Sequence, residues 1–229
     1  MSPDHRVQSL RRKLAETYRL TEYLYTAPDG RMFTVTGVDD VDALLEELII
    51  SEPDSVEVRD ERLPYWASLW PSAMALADEI LTGGWLRPES RVLELGCGLG
   101  LCAAAASLKG SQVTATDYQP DALVFTQLNC LQIAGQHPKT EILDWRSPPV
   151  RRHYDTLIGS DLAYEARFFP PLLNCFDHLL APGGHILFSE ANRDIAYPFF
   201  QQLKQANWQC RRLSNIPATS VYLIMRPNE

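Results

Sequence analysis

The stretch Arg91-Val92-Leu93-Glu94-Leu95-Gly96-Cys97-Gly98-Leu99-Gly100, followed at once by Leu101-Cys102-Ala103-Ala104-Ala105-Ala106, restricts the folds open to this chain more than any other. The apolar run Val92 to Leu95 is too short for a globular helix and ends in glycines, so it reads as a buried parallel strand feeding a tight turn. Three glycines in five residues let the backbone take unusual dihedrals and approach a ligand closely. The alanine-rich run behind them reads as a helix packed near the strand. Strand, glycine loop and helix in that order offer a ligand bare backbone N–H groups and the positive end of a helix dipole. A ligand site is expected here.

Spacing narrows the ligand. The dinucleotide fingerprint places another Gly or Ala three residues after the second glycine, and here that position is Leu101. Glu94, two residues before the first glycine, would repel a pyrophosphate; a carboxylate there suits a cation. The pattern resembles motif I of the Rossmann-like, S-adenosylmethionine-dependent methyltransferases, whose ligand carries an amino-acid tail and a sulfonium. On the loop alone, another Rossmann-type cofactor such as NAD stays open.

Downstream runs supply the rest of a nucleoside site. Gln112 to Asp117 reads as the second strand, and Asp117 lies 21 residues beyond Gly96. That is close to the separation at which an acid meets a ribose hydroxyl in a βαβ unit, a ribose that NAD and S-adenosylmethionine share. Thr140 to Trp145 reads as a third strand. Adenine needs a flat apolar face and an acceptor for its amine, and Trp145 with Asp144 supply both; the alternative is a tryptophan covering the sheet end. Trp70 precedes a helix whose first turn holds Pro71, where it either covers a cofactor or belongs to the core. Tyr154 to Asp161 reads as a fourth strand whose end lies beside the first strand's end in doubly wound order, which points Asp161 into the site. A helix from Phe168 to Leu180, a Pro182-Gly183-Gly184 turn and a strand from His185 to Ser189 follow, ending at Glu190. After a helix from Ile195 to Ala206, Gln209 to Leu213 and Ser220 to Met225 read as two directly joined strands, so one runs antiparallel to the rest.

Upstream, Val7, Leu10, Leu14 and Tyr18 recur at helical spacing among basic residues. This is an accessory helix or an organelle presequence, with Asp4 and Glu16 against the latter. Tyr23 to Thr26 and Met32 to Thr36 flank Pro28-Asp29-Gly30 as a hairpin. Val41 to Ile50 reads as a helix capped by Asp39 or Asp40, and Ser51 to Ser55 as a linker. The chain thus divides into an α+β extension, residues 1–62, and a ligand-binding α/β domain, residues 63–229. A formal charge of -8 argues against bulk affinity for nucleic acid or an anionic membrane. No run is long enough for a membrane span and no secretory signal is seen, so a soluble, cytoplasmic protein is expected. The five cysteines, at positions 97, 102, 130, 175 and 210, show no CxxC spacing, so neither zinc nor another metal, nor a disulfide framework, is expected.

Seven strands with an antiparallel last member is the architecture of the Rossmann-like methyltransferases, an α/β, doubly wound fold. Within it, Tyr65-Trp66, Trp70-Pro71-Ser72-Ala73, Glu94-Leu95-Gly96-Cys97-Gly98, Asp117, Trp145 and Ser160-Asp161-Leu162-Ala163-Tyr164 together resemble the non-histone protein lysine methyltransferases, including the branch acting on the electron-transfer flavoprotein beta subunit. The resemblance implies S-adenosylmethionine as cofactor, contacted by Trp70, Gly96, Cys97, Gly98, Asp117, Trp145 and Ser160. It implies a protein lysine as acceptor, faced by Asp161 and Tyr164. One departure stands out: the family often shows an acid, one residue and an arginine after the fifth strand, and Glu190-Ala191-Asn192-Arg193 has an extra residue. A small-molecule N-methyltransferase and a non-catalytic cofactor-binding module remain alternatives.

Overall fold

The computed structural model describes residues 3–51, 63–150, 153–216 and 218–226. Its first helix, α1 (Pro3–Ala15), carries Arg12 and Lys13 in the last turn, where cations complement the helix dipole. It stops short of Tyr18, whose hydroxyl instead donates to Asp121 Oδ2 at 2.5 Å. The hairpin forms from β1 (Leu20–Thr26) and β2 (Met32–Val38). Asp40 caps α2 (Val41–Ser51) by accepting the Ala43 amide at 2.9 Å. Past Ser51, the expected linker lies outside the described residues.

The glycine-loop strand, β3 (Arg91–Leu95), is covered on both faces and sits mid-sheet. It pairs in parallel with β4 (Gln112–Asp117) and β6 (Tyr154–Ser160). β5 (Lys139–Ile142) lies outside β4, and β7 (Leu180–Glu190) outside β6. β8 (Gln209–Ile216) and β9 (Thr219–Met225) complete the order β5-β4-β3-β6-β7-β9-β8, with β9 antiparallel to both neighbours. The antiparallel last strand is the one anticipated.

Alternation of side chains along the strands feeds two cores, one on each face. Val92, Ile158 and Leu187 face α3 (Pro71–Thr82), α4 (Leu101–Leu108) and α5 (Pro120–Ala134). Leu93, Leu157 and Ile186 face α6 (Phe169–Leu179) and α7 (Tyr197–Gln205). Leu14, Tyr25 and Val35 join the first core, so α1 and the hairpin pack on the same apolar mass as the sheet helices.

Two boundaries matter for the site. β5 ends at Ile142, which leaves Asp144 and Trp145 in the following loop rather than on the strand. β6 ends at Ser160, because Asp161 turns to φ +58° while its amide bonds Ser189 O at 2.9 Å. The chain runs out to β5 and returns to β6, so the topological switch falls at the carboxyl ends of β3 and β6, where such sheets bind ligands. No helix among the described residues is long and apolar enough to cross a membrane.

Candidate active site

Beyond Leu95 the chain must turn under two close neighbours. A Cβ on Gly96, at φ +63°, would lie 2.8 Å from Leu162 Cδ2 and 3.2 Å from Trp145 Cζ2. One on Gly98, at φ +50°, would lie 3.2 Å from Trp66 O, in the short turn Pro64–Ala67 that crosses the loop. Both conformations strain any L side chain, and both approaches need its absence. The loop is tied down by Cys97 N to Thr116 O at 2.9 Å and by the Thr126 hydroxyl to Gly98 O at 3.0 Å.

Around this loop stand buried acids. Glu94 is 1 % exposed; one side of its carboxylate meets the Ala103 amide in the first turn of α4, and Oε2 has no hydrogen-bond partner among the described residues. Burial pushes its pKa well above the usual carboxylate range, and the Asp117 charge adds to the shift. Such a group calls for a cation. Asp117 accepts the Gln119 amide at Oδ1, 2.9 Å, and the Gly98 amide at Oδ2, 3.0 Å, so it clamps the glycine loop to the end of β4. Burial raises its pKa too, and those amides oppose the rise.

Asp144 differs from expectation. Arg146, two residues on, takes it in a fork, Nε to Oδ1 at 2.9 Å and a terminal nitrogen to Oδ2 at 2.7 Å, while the Arg146 amide also bonds Oδ1. A planar guanidinium within reach captures both oxygens, which leaves less of the carboxylate for an adenine amine. Trp145 stands over Gly96 and meets Phe168 edge-on at 5.8 Å. From Phe168 the ring contacts continue to Tyr164, Tyr65 and Trp70, at 6.4, 5.8 and 6.1 Å. Trp70 is fixed by its indole N–H to Tyr65 O, 2.7 Å. Burial pushes Tyr164 up to about 12, so its phenol stays neutral and able to donate.

One cavity of about 580 Å³ gathers these groups. Its wall includes Trp70, Glu94, Gly96, Cys97, Gly98, Asp117, Asp144, Trp145 and Ser160, together with Asp161 and Tyr164. Every side chain singled out from the sequence therefore meets in a single space. Carboxylates outnumber guanidinium groups along that wall even though Arg146 and Arg193 pair with Asp144 and Asp161.

A family model described as lysine methyltransferase matches residues 61–206. The chain belongs to this family. Among curated proteins, it is 44% identical over 103 residues to the electron transfer flavoprotein beta subunit lysine methyltransferase of Danio rerio, covering 44% of this chain and 40% of that one. It is 32% identical over 149 residues to the protein N-lysine methyltransferase METTL21A of Xenopus tropicalis, covering 61% and 67%. Its matched part thus spans well under half of the first relative's length. The fold is also similar to the DhpI-SAM-HEP complex, with TM-score 0.58, 18% identity, and 75% and 99% of the two chains covered. A TehB-like SAM-dependent methyltransferase from Corynebacterium glutamicum is similar at TM-score 0.54 and 13% identity, over 74% and 95%.

In this lysine methyltransferase family member, the departure after β7 resolves locally. Asn192 takes φ +54°, and that one left-handed residue turns Arg193 back onto Glu190, Nε to Oε1 at 2.9 Å. Arg193, Tyr65, Phe168 and Arg146 line the cavity without having been singled out for it from the sequence. Tyr65 sits in the aromatic stretch before α3, a signal that was present. Arg193 was met in the sequence only as the displaced arginine after β7, with no role given to it, and Phe168 has no local pattern that marks it.

Proposed function

We propose that this protein is an S-adenosylmethionine-dependent methyltransferase that modifies the side-chain amine of a protein lysine. The observation that carries the reading is a single cavity holding both a buried carboxylate with an oxygen unpartnered among the described residues, beside a glycine loop, and Asp161 within a wall of aromatic rings. Family membership and an acidic wall support it.

The residues suit this cofactor. Glu94 Oε2, desolvated and without a partner among the described residues, matches an ammonium group such as that of the cofactor's amino-acid part. Gly96 and Gly98 keep the backbone bare where a ligand would lie. Asp117 retains lone pairs for a ribose diol, Trp145 presents a flat face for a base, and Cys97, Ser160 and Asp144 complete the wall, with Trp70 toward solvent. When bound, S-adenosylmethionine supplies an electrophilic methyl group on a sulfonium, which needs in-line approach by a neutral nucleophile.

An exposed lysine has a pKa of about 10.4 and reaches the site protonated. Burial among Tyr65, Trp70, Tyr164 and Phe168 disfavours the ammonium form. Asp161 offers Oδ2, the oxygen that no described residue engages, to orient the amine and accept its proton. Tyr164, a neutral phenol, contributes a hydrogen bond and walls the channel.

Transfer of labelled methyl from S-adenosylmethionine into cell extract tests the reading. We expect label in protease-sensitive material at a lysine side chain, reduced about 100-fold by Asp161→Ala while cofactor binding persists. Label confined to small molecules would move the acceptor to that class, and cofactor binding with no transfer would point to a non-catalytic module. We also place the protein in the cytoplasm. All five cysteines are free thiols, four of them buried, as suits a reducing compartment, and subcellular fractionation checks this.

A further inference from the structure

The turn from Glu190, the last residue of β7, to Arg193 brings one guanidinium to two carboxylates, those of Glu190 and Asp161. Glu190 is 1 % exposed; its Oε1 accepts Arg193 Nε at 2.9 Å and a terminal nitrogen at 2.7 Å, and its Oε2 has no partner among the described residues. The same terminal nitrogen reaches Asp161 Oδ1 at 2.5 Å, and the Ala191 amide is shared between that oxygen and Glu190 Oε1, 3.2 Å from each. Arg193 and Asp161 line the cavity, whereas Glu190 lies behind them. A buried carboxylate without its cation is costly, so Glu190 holds the guanidinium in place more firmly than the half-exposed arginine would hold itself. Two donors on Oδ1 then leave the Asp161 carboxylate one orientation, with Oδ2 the oxygen left for the cavity. The backbone agrees: Asp161 and Asn192 are both non-glycine residues at positive φ, +58° and +54°, strain that persists only where surrounding contacts hold it.

We propose that Arg193 is a positioning residue, anchored by Glu190, that fixes the Asp161 carboxylate so that its second oxygen addresses the acceptor amine. This rests on the role assigned to Asp161 above. The extra residue between Glu190 and Arg193 is what allows the return: Asn192 in the left-handed region reverses the chain within one residue, and asparagine tolerates that region better than most.

The test compares the wild type with Arg193→Ala, Arg193→Lys and Asp161→Asn, reading cofactor Kd, kcat and acceptor KM separately on the labelled acceptor. Misplacement of a reacting group by about 1 Å costs on the order of 100-fold, so Arg193→Ala should lower kcat about 10- to 100-fold and leave cofactor Kd within about twofold. Arg193→Lys, a point charge without the fork, should fall between. Free guanidinium ion at non-denaturing concentration should restore Arg193→Ala several-fold, while sodium chloride at equal ionic strength should not. An unchanged kcat in Arg193→Ala beside an inactive Asp161→Asn overturns the clamp and spares the role of Asp161. A tenfold rise in cofactor Kd, or loss of activity that guanidinium does not reverse, overturns it in favour of cofactor binding or loop structure. Full activity in Asp161→Asn overturns the reading beneath it.

Discussion

Glu94 shows how one buried acid links folding to ligand binding. Its ordinary value is 4.5, and burial raises it well above that in the folded protein. The folded state therefore holds a proton that the unfolded chain releases near 4.5, so this contribution to stability is present below that pH and lost as pH rises through the raised folded value. Glu94→Gln removes the dependence. Melting temperature plotted against pH should fall less steeply for the variant than for the wild type above pH 4.5. The same variant should bind S-adenosylmethionine at least about tenfold more weakly, since a charged hydrogen bond is worth about 1.5–3 kcal/mol, which calorimetric titration would read. Equal affinity would remove Glu94 from the cofactor's ammonium. Tyr164 is shifted the same way by burial, to about 12, but its titration lies above the working range, so it stays protonated there and adds no pH dependence of its own.

The glycine loop is held by its neighbours as much as by its own dihedrals. Asn129, fully buried on α5, accepts the Thr36 amide at 2.8 Å and donates to Thr36 O at 2.9 Å and to Leu99 O at 2.8 Å. One side chain thus ties hairpin strand β2 to the loop after β3. Replacing it with leucine would strand two carbonyls and an amide in the interior, at about 1–3 kcal/mol for each buried group left unpaired. We expect Asn129→Leu to lose about 3 kcal/mol or more in urea denaturation, with weaker cofactor binding in the fraction that folds. A loss below about 1 kcal/mol would mean that the hairpin and the loop are not coupled in this way.

The first core runs without a break from Leu14 on α1 and Tyr25 and Val35 on the hairpin to Leu76, Leu101 and Phe125 under the sheet. Tyr18 adds ring contacts to Trp66 at 5.8 Å and Phe125 at 5.7 Å. We therefore expect residues 1–62, an extension by sequence, to unfold together with residues 63–229. Scanning calorimetry should show one transition whose calorimetric and van't Hoff enthalpies agree. A separate early transition would instead mark the extension as an independent unit.

Local chemistry made much of this legible in advance. The strand, glycine loop and helix from Arg91 to Ala106 and the acid closing β4 depend on periodicity, glycine dihedrals and short spacings, all of which a chain displays in one dimension, whereas the pairing of Asp161 with Tyr164 was marked by the family resemblance. The joining of β8 directly to β9 likewise requires opposite directions before any coordinates exist. Other features depend on pairs that meet only when strand order is set: Arg193 on Asp161 across 32 residues, Asn129 on Thr36 across 93, and Ser189 on Ser72 across 117. The capture of Asp144 by Arg146 spans two residues, yet it too escaped the sequence, because β5 ended early and left both in a loop where the guanidinium folds back. Backbone preference acts over a few residues and is written in their order; partner choice among side chains is decided by which ends of the sheet come together.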